Sequence, residues 1–141
     1  MNSNNEDSFS NLQLDIHELI VCISSLVDAK SANTALHSKR VADMVLKTCK
    51  ILKLDSTITD KIHIAAHLHD IGKIGIPDSI LLKNGKLSES EWMVLKTHSV
   101  VGADILHSIT GFKEISEIVR HHHEKYDGTG YPNQLKGTEI P

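Results

Sequence analysis

The densest chemistry in the sequence is a histidine followed directly by an aspartate and, three residues later, by a lysine. His69, Asp70 and Lys73 bring an imidazole, a carboxylate and an ammonium within about one turn of backbone. Adjacent residues on a helix point about 100° apart, so His69 and Asp70 can share a metal only where other elements complete its shell. The candidates for that completion are His98 and the pair His122-His123.

This donor set indicates a particular class of metal. Imidazole and carboxylate together suit a borderline divalent ion such as iron, manganese or zinc. A carboxylate such as Asp70 can bridge two ions about 3.5 to 4 Å apart, an arrangement used in phosphoryl chemistry. Each histidine taken singly could be an ordinary surface or core residue, but their joint placement around Asp70 favours a two-metal phosphoryl centre.

Other histidines among the ten in the chain stand outside this pattern. His63 and His67 have the i, i+4 spacing of residues that share a helix face, and we interpret them as structural. His17 and His107 stand apart from the other histidines and are interpreted as ordinary surface residues. His121 is interpreted as a variable neighbour of the pair that follows it.

Length and composition are those of one compact domain. The 141 residues are 40% hydrophobic and 23% charged. A net charge of −3 and few aromatic residues argue against a nucleic-acid surface, which needs clustered cations. No apolar run approaches a membrane span and no signal peptide is recognisable, so a cytoplasmic protein without membrane insertion is expected. Cys22 and Cys49 are isolated, which argues against a disulfide framework or a thiolate zinc site.

Helical periodicity predicts the elements that position the site. Apolar residues at three- and four-residue steps predict a helix over 12–29 with one buried stripe. A second helix, capped by Asn33 or Thr34, runs to about Lys53, and a third begins at Asp55 and stops at Gly72.

The second half of the chain continues the helical pattern. Pro77 suits a short helix through Leu82, and Ser88-x-x-Glu91 fits a capping box for a helix from Glu89 that also carries His98. Gly102 marks a break or a close helix contact, and a last helix opens at Phe112. No alternating strand pattern is present, so we expect an all-α domain over 12–141, preceded by a flexible segment over 1–11.

Two motifs resemble those of HD-GYP domains, which are bacterial phosphodiesterases of cyclic di-GMP. The motifs are His69-Asp70-Ile-Gly-Lys73 and His122-His123-Glu124-x-x-Asp127-Gly-x-Gly130-Tyr131-Pro132. The similarity covers roughly residues 28–141 and includes His37-Ser-x-Arg40-Val41 and Gly75-x-Pro77-Asp78. It implies an HD-domain helical bundle with a Gly-rich GYP loop.

The resemblance also implies which residues hold metal. One ion, of iron or manganese, would be bound by His37, His69 and Asp70. Asp70 would bridge to a second ion, whose other ligands would be His98, His122 and His123.

Roles in substrate binding follow from the same resemblance. Lys73 would contact the scissile phosphate and act with the bridging aspartate in catalysis, while Gly130 and Tyr131 would line the substrate site. Glu124 and Asp127 are expected to order the loop or to support a metal-bound imidazole from behind.

Two departures from the family pattern modify these expectations. Some members bind a third ion through a carboxylate where this chain has Asn33, so at most two ions are expected. The family continues past the equivalent of Pro141 into a helix with a further aspartate ligand and then into covering helices. The resemblance therefore implies closer to one retained ion than two, low turnover, and an apolar surface that favours a homodimer or a signalling partner.

Three functions remain open on the sequence alone. The first is hydrolysis of cyclic di-GMP to pGpG or GMP by a metal-dependent phosphodiesterase. The second is a non-catalytic signalling or binding module that keeps the fold. The third is hydrolysis of another nucleotide, which the Gly128-x-Gly130-Tyr131-Pro132 loop disfavours.

Overall fold

The protein is built from helices joined by short turns. The computed structural model describes residues 15–31 and 36–141, and no strand occurs within these ranges, which confirms the predicted all-α class. The segment 1–11 and the caps predicted at Asn33 and Thr34 lie outside the described residues. In chain order the elements are α1 (Ile16–Lys30), α2 (His37–Leu52), α3 (Ser56–Leu68), a 3-10 turn (Ile71–Gly75), α4 (Asp78–Leu81), α5 (Glu89–Lys96), α6 (His98–His107), α7 (Lys113–His121) and a second 3-10 turn (Gly137–Glu139).

Polar side chains fix where several helices begin. Asp15 and Asp55 each accept a hydrogen bond of 2.8 Å from the backbone N–H two residues later, at the starts of α1 and α3. The capping box predicted at Ser88 is present, because Glu91 accepts from the Ser88 backbone N–H and donates its own to the Ser88 hydroxyl.

The core lies where α3, α6 and α7 meet, with α1 closing one side. Its buried apolar residues are Ile20, Ala65, Leu68, Leu106, Ile115 and Val119. The buried stripe of α1 is narrower than predicted, since Ile16 and Leu26 are 70% and 67% exposed. The reason is that α1 packs on α2, α3 and the first 3-10 turn only through the side that carries Ile20 and Val27. None of the described helices is both long and apolar enough to cross a membrane.

The prediction of one continuous helix from Glu89 through His98 is wrong. α5 ends at Lys96, and α6 starts at His98. Thr97 lies between them, and both its hydroxyl and its backbone N–H bond the Val94 carbonyl, at 2.7 and 3.1 Å. Such local hydrogen bonds compete with the i to i−4 hydrogen bonds of the α-helix, and α5 ends here. The new helix begins with the His98 ring buried, at 3% exposure.

A close backbone contact joins the end of α3 to α6. The helix predicted to stop at Gly72 ends at Leu68, and the 3-10 turn follows it. A Cβ on Gly72 would overlap the carbonyl oxygen of His98 and lie 2.5 Å from the backbone nitrogen of Gly102. Gly102 therefore lies where the backbone of α6 closely approaches that of Gly72, and a close helix contact was one of its two predicted roles. Because the backbones touch here, Asp70 comes to lie beside His98.

Candidate metal centre

The carboxylate of Asp70 lies at the middle of the candidate site. Asp70 follows the C-terminal end of α3 and is 5% exposed. Its Oδ2 lies 3.2 Å from His69 Nε2 and 2.7 Å from Lys73 Nζ, whereas its Oδ1 lies 3.5 Å from His98 Nε2. The two oxygens thus face histidines from different helices.

The first group of donors combines the start of α2 with the end of α3. One ligand atom from each of His37, His69 and Asp70 lies within 4.8 Å of the others. The Nδ1 atom of His69 is 2.8 Å from the Ala66 carbonyl, to which it donates. Because Nδ1 donates there, Nε2 is the nitrogen that remains for Asp70 and for a metal ion.

The second group lies at the start of α6 and just beyond α7. His98 Nε2 is 3.4 Å from His122 Nε2 and 3.2 Å from His123 Nε2. Nδ1 of His98 and of His122 each lie within 2.7 Å of a backbone carbonyl, that of Leu95 and of Val119 respectively. Backbone acceptors behind imidazoles are the usual means of fixing a metal-binding tautomer.

Burial and charge keep these groups in the form that binds metal. Burial and the neighbouring His123 lower the pKa of His122 to about 3, and burial and His98 lower the pKa of His123 to about 4. Burial alone would raise the pKa of Asp70, but hydrogen bonds and charge from His69 and Lys73 hold it below its usual range. His122 and His123 are therefore kept neutral and Asp70 is kept ionised, and imidazole with carboxylate is a set that fits borderline divalent ions.

The pKa values of His69 and His98 shift in opposite directions. Burial would lower the pKa of His69, but its hydrogen bond and attraction to Asp70 raise it. Burial lowers the pKa of His98 despite the same carboxylate at longer range. Of these two histidines, His69 is thus the one that lies closer to the carboxylate and pairs with it more strongly.

The residues expected at the substrate lie around this centre. Lys73 holds its ammonium on Asp70 and lines a cavity of about 300 Å³ together with Lys83. Tyr131 stacks on His123 with ring centroids 4.6 Å apart. Burial and then the charge of Asp70 raise the pKa of Tyr131 to about 12, so its hydroxyl remains a hydrogen-bond donor.

Gly130 serves close packing of the loop. A Cβ there would lie 2.5 Å from the Glu124 Cα and 2.6 Å from the His123 carbonyl oxygen. The absence of a side chain lets the loop fold directly onto the end of α7. The next residue, Tyr131, is thereby held against His123.

The two loop carboxylates bind backbone within the loop. Glu124 accepts from the backbone N–H groups of Asn133 and Leu135, at 2.7 and 3.1 Å. Asp127 accepts from the N–H and the hydroxyl of Thr129, at 2.9 and 2.7 Å. Of the two roles expected for these residues, loop ordering is the one that their hydrogen bonds serve.

Two residues that the sequence motifs do not single out, Trp92 and Lys96, lie beside Tyr131. The Lys96 ammonium lies 5.7 Å from the Trp92 ring centroid and 5.4 Å from that of Tyr131. Trp92 is 44% exposed. Their i, i+4 spacing predicts that the two side chains lie together on α5. That they also lie near Tyr131 depends on the turn between α5 and α6, which the spacing does not predict.

The remaining histidines divide into two kinds. His107 is exposed, and His121 bonds Glu117 and Asn133, away from the two groups of donors. His17 is exposed, as interpreted, but the interpretation that it stands apart from the other histidines is wrong. Its Nε2 lies 3.2 Å from Nε2 of His63, because α1 packs across α3.

Comparison with known proteins places this geometry in a family. The model of the HD domain matches residues 21–141. The 3'3'-cGAMP-specific phosphodiesterase 2 of Vibrio cholerae serotype O1 is 40% identical over an alignment of 137 residues that covers 93% of this chain and 26% of that protein. A cyclic di-GMP phosphodiesterase of Thermotoga maritima is 36% identical over an alignment of 138 residues that covers 96% of this chain and 38% of that protein. The chain thus spans less than two fifths of the length of these relatives. It belongs to the HD domain family, in the HD-GYP branch that its two motifs indicate.

Proposed function

We propose that this chain is a metal-dependent phosphodiesterase that hydrolyses cyclic di-GMP to pGpG or GMP. The observation that carries the proposal is the placement of Asp70, whose two oxygens face two separate groups of histidines. A carboxylate so placed is suited to bridge two ions. Relatives named as cyclic di-GMP phosphodiesterases support the choice of substrate.

The proposed ligands divide between two positions. His37 and His69 would hold one ion, His98, His122 and His123 would hold the other, and Asp70 would contact both. Iron or manganese is the metal we propose, since mixed imidazole and carboxylate ligands suit both. Ions bound here would supply Lewis-acid activation of water and of the phosphate.

Protein groups would bind and orient the substrate. The Lys73 ammonium is within reach of a phosphate held near Asp70, where it would neutralise a non-bridging oxygen. Tyr131, Trp92 and Lys96 present two rings and a cation at the same edge of the site. Such rings are suited to stack on a guanine base, because every nucleobase has an apolar face.

The test is hydrolysis by metal-stripped protein reloaded with Mn²⁺, or with Fe²⁺ without oxygen. We expect metal-dependent cleavage of cyclic di-GMP, and we expect Asp70→Asn and His122→Gln to lower the rate by about 10²-fold or more. His121→Gln is the matched control, because it removes the adjacent imidazole, whose bonds lie outside the site. It should leave the rate unchanged.

Two results would overturn the proposal. The first is that the reloaded protein cleaves none of cyclic di-GMP, 3'3'-cGAMP and a panel of other nucleotides, which would favour a non-catalytic module. The second is cleavage of 3'3'-cGAMP or another nucleotide but not of cyclic di-GMP, which would replace the substrate. Cleavage of 3'3'-cGAMP has support in the names of relatives that are 3'3'-cGAMP-specific phosphodiesterases.

A further inference from the structure

We infer that His17, His63 and His67 form a metal site separate from the centre at Asp70. One ring nitrogen of each residue lies within 4.8 Å of those of the other two. His17 is on the first turn of α1, whereas His63 and His67 are one turn apart on α3. An ion bound by all three would link these two helices.

The spacing of the rings is that of ligands on one ion. Nε2 of His17 and Nε2 of His63 are 3.2 Å apart. Two nitrogens on a tetrahedral ion, with bonds of about 2.0 to 2.1 Å, are separated by about 3.3 Å. His98 and His123, which belong to the centre at Asp70, show the same separation of 3.2 Å.

His63 is held in a form that can bind metal. Its Nδ1 lies 3.3 Å from the Ala42 carbonyl oxygen on α2. A hydrogen bond donated there leaves the lone pair on Nε2, the nitrogen that faces His17. The packing of α2 on α3 therefore selects the tautomer needed for ligation.

His67 is buried, and one of its ring nitrogens lacks a hydrogen bond to the described residues. Its side chain belongs to a residue that is 3% exposed, and its Nδ1 has no hydrogen-bond partner in the described part of the chain. A buried polar atom left unpaired costs free energy, so such an atom requires an explanation. Coordination of an ion by this nitrogen would supply the missing partner.

The ligands define the class of ion. Three imidazoles without a carboxylate or thiolate suit Zn²⁺, Co²⁺, Ni²⁺ or Cu²⁺ rather than Mg²⁺ or Ca²⁺. The carboxylate whose charge acts on His67 is that of Asp43, which is paired with Lys39 at 3.2 Å. His17 is exposed, so an ion can enter from solvent and keep a water in its fourth position.

Zinc stoichiometry tests this site in the full chain after removal of metal. Equilibrium dialysis against Zn²⁺ followed by elemental analysis should give one more zinc per chain in the unaltered protein than in His17→Gln or in His63→Gln. Neither side chain is fully buried, so both variants should keep their helical circular dichroism. His107→Gln, which removes an exposed histidine outside all three groups, should bind as much zinc as the unaltered protein.

Thermal unfolding gives a second readout that does not depend on activity. Zinc should raise the unfolding midpoint less in His17→Gln than in the unaltered protein, because the link between α1 and α3 is lost. His122→Gln, at the Asp70 centre, should lower the zinc count independently, and the double variant with His17→Gln should lose both contributions. Equal zinc content in His17→Gln, His63→Gln and the unaltered protein would overturn the inference. A loss of the same size in His107→Gln would also overturn it.

Discussion

At the scale of single residues, the central feature is a buried carboxylate that stays ionised. Burial alone would favour its neutral form, but Asp70 is paired with Lys73 at 2.7 Å and with His69 at 3.2 Å. Its second oxygen faces His98. A carboxylate that bridges two metal ions must be ionised, and the Lys73 ammonium pairs with the same charge. A metal ion and the ammonium therefore compete for Oδ2 of Asp70.

This competition leads to a prediction for Lys73→Met. Removing the ammonium should keep or tighten metal binding, because Asp70 loses a competing cation. Hydrolysis of cyclic di-GMP should nevertheless fall by about 10²-fold, since the group proposed to neutralise the phosphate is gone. Elemental analysis and steady-state kinetics on the same preparation measure the two effects separately.

An exposed lysine provides the control for that variant. Lys47→Met removes an exposed ammonium from α2 and should change neither metal content nor rate. Loss of bound metal in Lys73→Met would contradict the account, because it would make the ammonium a support of the metal site rather than a phosphate contact.

Glu124 gives a prediction for the loop. Its carboxylate accepts from two backbone N–H groups, so Glu124→Ala should lower the free energy of unfolding by about 1 to 3 kcal/mol. Glu124→Gln keeps one acceptor oxygen and should lose less. Urea denaturation followed by circular dichroism measures both, and unchanged stability in Glu124→Ala would show that the loop is held by other contacts.

At the scale of elements, the position of the site depends on backbone contact between the 3-10 turn and α6. A Cβ on Gly72 meets backbone atoms of His98 and Gly102, which cannot rotate away. Gly72→Ala should therefore lower the free energy of unfolding by about 3 kcal/mol or more, as overpacking of a tight contact does. It should also weaken metal binding, because His98 moves away from Asp70.

Gly75 is the matched control in the same turn. A Cβ on Gly75 would lie 3.3 Å from a methyl carbon of Val101, a side chain that can shift. Gly75→Ala should cost less than about 1 kcal/mol in unfolding free energy and leave metal content unchanged. Equal losses in the two variants, measured by chemical denaturation, would contradict the role given to the Gly72 contact.

Local sequence patterns predicted much of the secondary structure, but they did not predict the contacts between residues far apart in the sequence. The caps at Asp55 and Ser88 were predictable because they depend on residues within one turn. The break at Thr97 depends on a side-chain bond that competes with the helix, which spacing alone does not reveal. The meeting of His17 with His63, 46 positions apart, depends on how α1 packs on α3.

At the scale of the whole molecule, buried neutral histidines link stability to pH. Burial first, and then His63 and His17, lower the pKa of His67 to about 4, from about 6.5 in an unfolded chain. The pKa values of His122 and His123 are lowered in the same way, to about 3 and about 4. Between the folded and the unfolded pKa values, the unfolded chain binds more protons than the folded one. The stability that the neutral histidines contribute is therefore present above about pH 6.5 and is lost as the pH falls toward about 4.

The metal-free protein should therefore unfold at lower urea concentration at about pH 5 than at about pH 7. Each such histidine should lower the folding equilibrium constant on the order of tenfold over that interval. The raised pKa of His69 acts in the opposite sense, but it is one group against four, because burial also lowers the pKa of His98. His67→Leu should flatten the profile, whereas His107→Gln should not, and stability that rises on acidification would contradict the assignment.

The central claim is that Asp70 joins two ions, and anomalous X-ray scattering from crystals saturated with Mn²⁺ tests it most directly. The sequence alone predicts retention of closer to one ion, but each position has three candidate ligands in the structure, so we expect both to fill at saturation. We predict two manganese peaks about 3.5 to 4 Å apart, with Asp70 between them, one beside His37 and His69 and the other beside His98, His122 and His123. A single peak at saturating Mn²⁺, or two peaks of which neither contacts Asp70, would contradict the account.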